Sequence, residues 1–344
     1  MIIPDLTARL PAQPSFTEMP MRRIGFAVVL AIGLLAMPLG GGAQLGRIYG
    51  VGVVHQGGAY RQSVDGLRDG LRDLGFEERK QFVLDVRDTQ GDLPSVEAAA
   101  KSLEAKKVDV ILSVATSVTL AVKRATSSVP IVFYAGTDPV AVGLVVSFRK
   151  PEGRLTGIHG QFSDVTGKRL ELLKEMAPGI RRPVAFFNPA NPVAQLSVKM
   201  AHEAASRLKL ELVERPIASV AELRAGLRAL RPGEVDAITI VSDAMVISRP
   251  DLIIETAIAK RLPIMLTDRA SVAGGALAAY GEDYYTLGRY AAKFVRLVLL
   301  GAAPGDLPIE QVNRFHFAIN LKTAKALGLT IPQSILVRAD EIIQ

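Results

Sequence analysis

The chain of 344 residues contains no cysteine and no tryptophan, only four histidines, and 6% aromatic residues. Each shortage excludes a class of chemistry. Without cysteine there is no disulfide framework, thiolate zinc site, iron–sulfur ligation, cysteine nucleophile or lipid-bearing cysteine. His55, His159, His202 and His316 share no metal-ligand spacing, and neither H-E-x-x-H nor G-x-S-x-G occurs. Gly50-x-Gly52 lies inside an apolar run, and a dinucleotide fingerprint would need its third glycine at His55. Gly167-Lys168 lacks the upstream glycine and the following Ser/Thr of a P-loop. No catalytic residue, metal or cofactor is therefore expected.

What is present is an ordinary apolar fraction of 49% and a modest basic excess, 41 Lys+Arg against 34 Asp+Glu, for a net charge of +7. Basic residues occur as singles and pairs, such as Lys106-Lys107 and Arg181-Arg182, without interleaved aromatics, so no nucleic-acid partner is expected. Met21-Arg22-Arg23, an apolar run from Ile24 to Leu39, and Gly40-Gly41-Gly42-Ala43 read as a secretory signal with cleavage after Ala43. The run is short for a bilayer, which needs about 20 apolar residues. Residues 1–20 read as an over-long start, with Met21 or Met19 as the initiator. Removing residues 1–43 takes away three basic residues and two acidic ones and leaves 38 against 32. A periplasmic protein without a stable membrane anchor, acting as a monomer, is the expectation.

After residue 44, apolar runs alternate with helical periodicity. Strands are expected at 47–54, 82–86, 108–114, 130–134 and 155–158, with helices between them. Val64, Leu67, Leu71 and Leu74 mark one helical face, which Gly75 ends. The rhythm then restarts, with strands at 183–187, 210–213, 237–241, 263–266, 276–280 and 315–319. Helices are expected at 165–177, 193–208, 249–261 and 286–300. Two consecutive βαβ series predict an α/β chain of two doubly wound, Rossmann-like lobes joined by a hinge. Ligands of such sheets bind beyond the carboxyl ends of strands, which points to the strand-end loops.

His55 and Gln56 follow the first strand. Thr116 and Ser117 open a helix after the third, where hydroxyls and free amides suit a carboxylate or phosphate, though ordinary helix capping explains one hydroxyl equally well. Gly136, Thr137 and Asp138 end the fourth strand, and Asp138 before Pro139 is also a good cap. Asn188, Ser242 and Asp243 end strands of the second series. Asp243 is either a helix cap or an acceptor for a ligand ammonium or hydroxyl. Asp268 and Tyr285 occupy further loops, and Tyr285 either stacks on a ligand or packs at the hinge. The ligand is expected to be held by hydroxyls, amides and carboxylates.

Several segments, taken in order, resemble the ABC-transporter substrate-binding protein family that includes tryptophan-binding members. They include Asp65-Gly66-Leu67-Arg68-Asp69-Gly70-Leu71, Thr137-Asp138-Pro139-Val140 and Gly167-Lys168-Arg169-Leu170-Glu171-Leu172-Leu173-Lys174. Phe187-Asn188-Pro189, Gly274-Gly275-Ala276-Leu277, Tyr280-Gly281 with Asp283-Tyr284, and Asn320-Leu321-Lys322-Thr323-Ala324 complete the set. The resemblance implies a type I periplasmic-binding-protein architecture in which the chain crosses between lobes three times. The first lobe would comprise 44–158 and about 276–304, and the second 159–275 and about 305–344. It also implies Thr116 and Ser117 as carboxylate contacts, and the Thr137-Asp138, Asn188 and Asp243 loops as cleft lining.

The expected function is capture of a small, amino-acid-like or other carboxylate-bearing solute and its delivery to an ABC permease in the inner membrane. An exported sensing module docking on a membrane receptor is the alternative, and an α/β transferase stands behind it. A repressor of the lac type shares the fold, but an export signal occupies the place of its helix-turn-helix.

Overall fold

The structure is a computed structural model and describes residues 47–344. The expected export signal lies outside the described residues. No described helix is long and apolar enough to cross a membrane.

The first lobe is built on a six-stranded, all-parallel sheet. Its strands are β1 (Tyr49–His55), β2 (Phe82–Asp88), β3 (Val110–Val114), β4 (Ile131–Ala135), β5 (Leu155–His159) and β11 (Glu310–Gln311), in the order β11-β5-β4-β3-β1-β2. Strands covered on both faces read as continuous apolar runs. Every residue of β3, β4 and β5 is buried, whereas the edge strand β2 exposes Val83 and Val86. Helices α1 (Gln62–Asp73), α2 (Leu93–Ala105) and α3 (Thr116–Ala125) connect the strands.

The second lobe carries α4 (Thr166–Met176), β6 (Pro183–Phe187), α5 (Pro192–Arg207), β7 (Val213–Pro216), α6 (Val220–Ala229) and β8 (Ala237–Thr239). Then come α7 (Ala244–Ile247), α8 (Pro250–Lys260), β9 (Met265–Leu266), α9 (Arg269–Ala273) and β10 (Ala278–Glu282). Strands run β7-β6-β8 and β9-β10-β12-β13, where β12 is Phe315–Asn320 and β13 is Glu341–Ile343. A bridge between Ile238 and Ile264 joins the two sets. Among the described strands, only β10 with β12 is antiparallel.

The strand expected at 210–213 begins later. Lys209 adopts a left-handed φ of 56°, and the amide of Leu210 bonds back to Ala205 at 2.8 Å. That closes α5, so pairing with β6 starts only at Val213. Leu210 and Leu212 are buried in the connection instead.

Strand pairing also relocates two expected crossings. Ala278–Glu282 pairs with β9 and β12 in the second lobe, so the chain returns to the first lobe after Glu282 rather than near 276. Glu310–Gln311 still pairs with β5, so the last crossing falls between Gln311 and Phe315 rather than near 304. An apolar run identifies a strand but not the sheet it joins.

The returning helix α10 (Tyr284–Leu299) packs against α1 with almost no space between backbones. A Cβ placed on Gly66 would sit 1.9 Å from the Tyr285 carbonyl oxygen, and one on Gly288 would sit 2.1 Å from that of Ser63. The Gly66 and Gly70 positions of the Asp65–Leu71 motif are therefore a helix-packing requirement of the first lobe, not a ligand contact.

Candidate functional site

The carboxyl ends of β3 and β4 and the loops after β6 and β8 face one another across the cleft. At its centre is a small cavity of about 20 Å³, room for about one water. The first lobe contributes Tyr60, Ala115, Thr116, Ser117, Tyr134 and Gly136, and the second Val193, Ser242 and Ala244. Phe162 and Tyr284 enter from the first two crossings.

The local sequence explains this arrangement. Ala115 ends β3 at φ 93° and ψ 148°, a region that side chains avoid, and turns the chain sharply into α3. No side chain caps that helix. Thr116, the first residue of α3, is instead used crosswise. Its Oγ1 accepts from the Gly136 amide at 3.1 Å and lies 3.2 Å from the Thr137 hydroxyl. This ties the ends of β3 and β4 together and leaves the α3 N-terminus, with Ser117, open to the cavity. Uncapped amides at a helix N-terminus favour a carboxylate. In the opposite wall, the Ser242 amide donates to Ser197 Oγ at 2.8 Å, and that hydroxyl is 3.0 Å from Thr166 Oγ1.

Asp243 is buried with its carboxylate surrounded by donors. It accepts from the amides of Met245 and Val246, capping α7, and from the Asn188 amide at 2.9 Å. Burial raises its pKa against these hydrogen bonds. Asn188 in turn accepts from Ala190. Both residues line a wider groove of about 1040 Å³ that also contains Gln56 and Ser117. Ser117 thus belongs to both spaces.

Five of the expected residues line neither space; Thr137 is one, with its hydroxyl against Thr116 Oγ1. His55 is buried, and its Nδ1 accepts from the Gly57 amide at 2.9 Å, so the ring holds its own loop and lines neither space. Burial lowers its pKa. Asp138 is exposed, caps the turn at Val140 and Ala141, and faces a separate recess with His159 and Asp164. Asp268 caps α9 through Ser271, and Tyr285 donates its hydroxyl to Asp69 on α1 at 2.9 Å. These last two line a recess of about 390 Å³ beside the second crossing.

The sequence reading missed the aromatic wall. Tyr60, Tyr134, Phe162 and Tyr284 all reach the cavity. Tyr284 meets Tyr60 edge-on at 4.9 Å and Tyr134 edge-on at 6.1 Å. Tyr134 donates to Glu282 Oε2, and the Gln161 amide donates to Oε1 at 3.1 Å. Burial pushes the Glu282 carboxyl up to about 7. Behind Phe162, the fully buried Arg169 guanidinium stacks on its ring at 4.3 Å and donates to the Phe162 carbonyl. Burial lowers Arg169 to about 10. The signal for this wall was Asp283-Tyr284, a strand-to-helix junction. Tyr60 and Phe162 lie in the connections after β1 and β5 and belonged to no motif.

A family model described as ABC transporter substrate binding protein matches residues 50–343. The chain belongs to this substrate-binding protein family. A tyrosine-binding protein of Clostridioides difficile is 30% identical over 259 residues, which cover 75% of this chain and 74% of that protein. The solved structure of an ABC domain in complex with L-Trp from Streptococcus pneumonia is 26% identical, with a TM-score of 0.76 over 86% of this chain and 100% of the other. A ligand-free, open substrate-binding protein with adhesive properties from Clostridium difficile, at 25% identity and the same coverage, gives a TM-score of 0.56. The fold is that of type I periplasmic binding proteins, and members of the family are solute-binding proteins rather than enzymes. Such proteins bind small molecules and work with ABC transporter permeases.

Proposed function

We propose that this substrate-binding protein is exported, captures an amino acid with an aromatic side chain between its lobes, and hands it to an inner-membrane ABC permease. The observation that carries this reading is the junction, in one cavity, of an uncapped helix N-terminus with four aromatic rings. The α3 N-terminus and Ser117 receive the carboxylate. Tyr60, Tyr134, Phe162 and Tyr284 receive the ring, where edge-on and stacked contacts add to simple burial. The names of the tyrosine-binding relative and the L-Trp complex support the same ligand class.

The walls come from both lobes, so a ligand in the cavity contacts both only when they are together. Differential contact of this kind shifts the population toward closure. A cavity of about 20 Å³ admits no amino acid, so entry and occupancy both require the lobes to part at the three crossings beyond the arrangement seen here. The greater likeness to the L-Trp complex than to the open relative supports assignment of this arrangement to the closed side of that equilibrium.

The test is a thermal-shift and calorimetry panel of the common amino acids against refolded protein. L-Tyrosine, L-tryptophan or L-phenylalanine should raise the melting temperature, because a ligand at about 1,000 times its Kd adds roughly 4 kcal/mol. No shift with any amino acid overturns the reading.

A further inference from the structure

Gln56 follows β1 and is 1% exposed, yet its Oε1 is buried without a hydrogen-bond partner. A buried amide oxygen of this kind is costly unless a donor meets it. The side chain lines the groove that shares Ser117 with the central cavity. The other carboxylate and amide acceptors in that groove that are not exposed are already engaged. Asp243 holds the amides of Met245, Val246 and Asn188. Asn191 Oδ1 accepts from Val193. Asn188 accepts from Ala190. Asp88 is paired with Arg61 at 2.7 Å and accepts from the Gln90 amide. An ionised carboxylate has about four lone-pair sites. Asp243 also has Asn191 Nδ2 at 3.5 Å, which leaves it little capacity for another donor.

An amino acid with its carboxylate at the α3 N-terminus presents its ammonium a short distance away. We propose that Gln56 Oε1 accepts a hydrogen bond from that ammonium and is the residue by which the site selects an amino acid over the corresponding des-amino acid. This rests on the amino-acid reading above. It assigns ammonium recognition to a neutral amide in place of the nearby Asp243, whose carboxylate builds the wall. A ligand without the amine leaves Oε1 unpaired, and a site built to hydrogen-bond a group rejects the analogue that lacks it.

The experiment compares L-tyrosine with desaminotyrosine, and L-tryptophan with indole-propionic acid, by calorimetry on the wild-type protein and on Gln56→Met and Gln56→Glu. The wild type should prefer the amino acid by about 10- to 100-fold. Gln56→Met should reduce that preference to within a few-fold by weakening the amino acid alone. Gln56→Glu keeps size and acceptor and should keep the preference, so the test survives if the methionine variant fails to fold. Equal losses for amino acid and des-amino acid in Gln56→Met overturn the assignment, as does loss of the preference in Gln56→Glu. A wild-type protein that binds des-amino acids as well as amino acids overturns the Gln56 assignment alone. One that binds neither overturns the amino-acid reading with it.

Discussion

Glu282 offers the sharpest quantitative test of the packing around the cavity. It is the last residue before the chain returns to the first lobe, and it is buried with Tyr134 and the Gln161 amide as its donors. Burial raises its pKa from 4.5 to about 7, against the lowering effect of those hydrogen bonds. The sign follows from proton counting. Between those two values the unfolded chain has released the proton and the folded chain still holds it. Stability from this group therefore falls as pH rises through that window and is level above about pH 8. For a shift of this size the loss between about pH 5 and about pH 8 is roughly 2–3 kcal/mol. Glutamine is a neutral isostere of glutamate, so Glu282→Gln removes the titration while keeping an acceptor for Tyr134. Urea unfolding of both proteins across that range is the assay, and the variant should gain on the wild type by that amount as pH rises. Asp243 and Asp268, also raised by burial, slope the same way, while His55 and His159, lowered by burial, act oppositely below their ordinary value. All four are present in both proteins and largely cancel in the difference. A difference that stays flat from about pH 5 to about pH 8 refutes a buried, protonated Glu282.

Three further outcomes are expected. Gly66→Ala drives a methyl into the Tyr285 carbonyl and should cost about 3 kcal/mol or more; unchanged melting by circular dichroism would refute the close approach of α1 and α10. Ala115→Gly releases a backbone strain of about 1–3 kcal/mol and loses about 0.4–1 kcal/mol to unfolded-state entropy. The net gain of about 1 kcal/mol should appear in denaturant midpoints, and a destabilised variant would count against the strain. Tyr284→Leu removes the ring that meets both Tyr60 and Tyr134 and should weaken aromatic amino acids by about 10-fold. Calorimetry should show aliphatic ligands unaffected, and an equal loss for both would place Tyr284 in support of the fold alone.

The alternation of apolar runs with helical faces was legible because each run obeys a local rule. Buried parallel strands such as Ile131–Ala135 have no polar face to show, and Leu67 and Leu71 recur at helical spacing. The family resemblance was equally legible, since it rests on ordered segments such as Phe187-Asn188-Pro189. The strand-end rule selected Thr116, Ser117, Gly136 and Ser242, which line the cavity, and Gln56, which lines the groove, because a loop at a carboxyl end faces the cleft whatever its partners. It also selected Asp138, Asp268 and Tyr285, which cap a turn, cap a helix and bond to Asp69. A cap and a ligand contact use the same residue types, so sequence alone does not separate them.

The sequence by itself determined two βαβ series, the absence of thiol chemistry, and membership in a family. Those properties depend on residue type and on short-range spacing. The tertiary structure alone decided which strand joins which sheet, that Gly66 and Gly288 let two helices touch, and that Tyr60, Tyr134, Phe162 and Tyr284 form one wall. It also decided that Asp243 is occupied while Gln56 is unpaired. These are facts about groups far apart along the chain, such as Tyr60 and Tyr284. They exist only once burial has removed water and made every polar group depend on the neighbours the fold supplies.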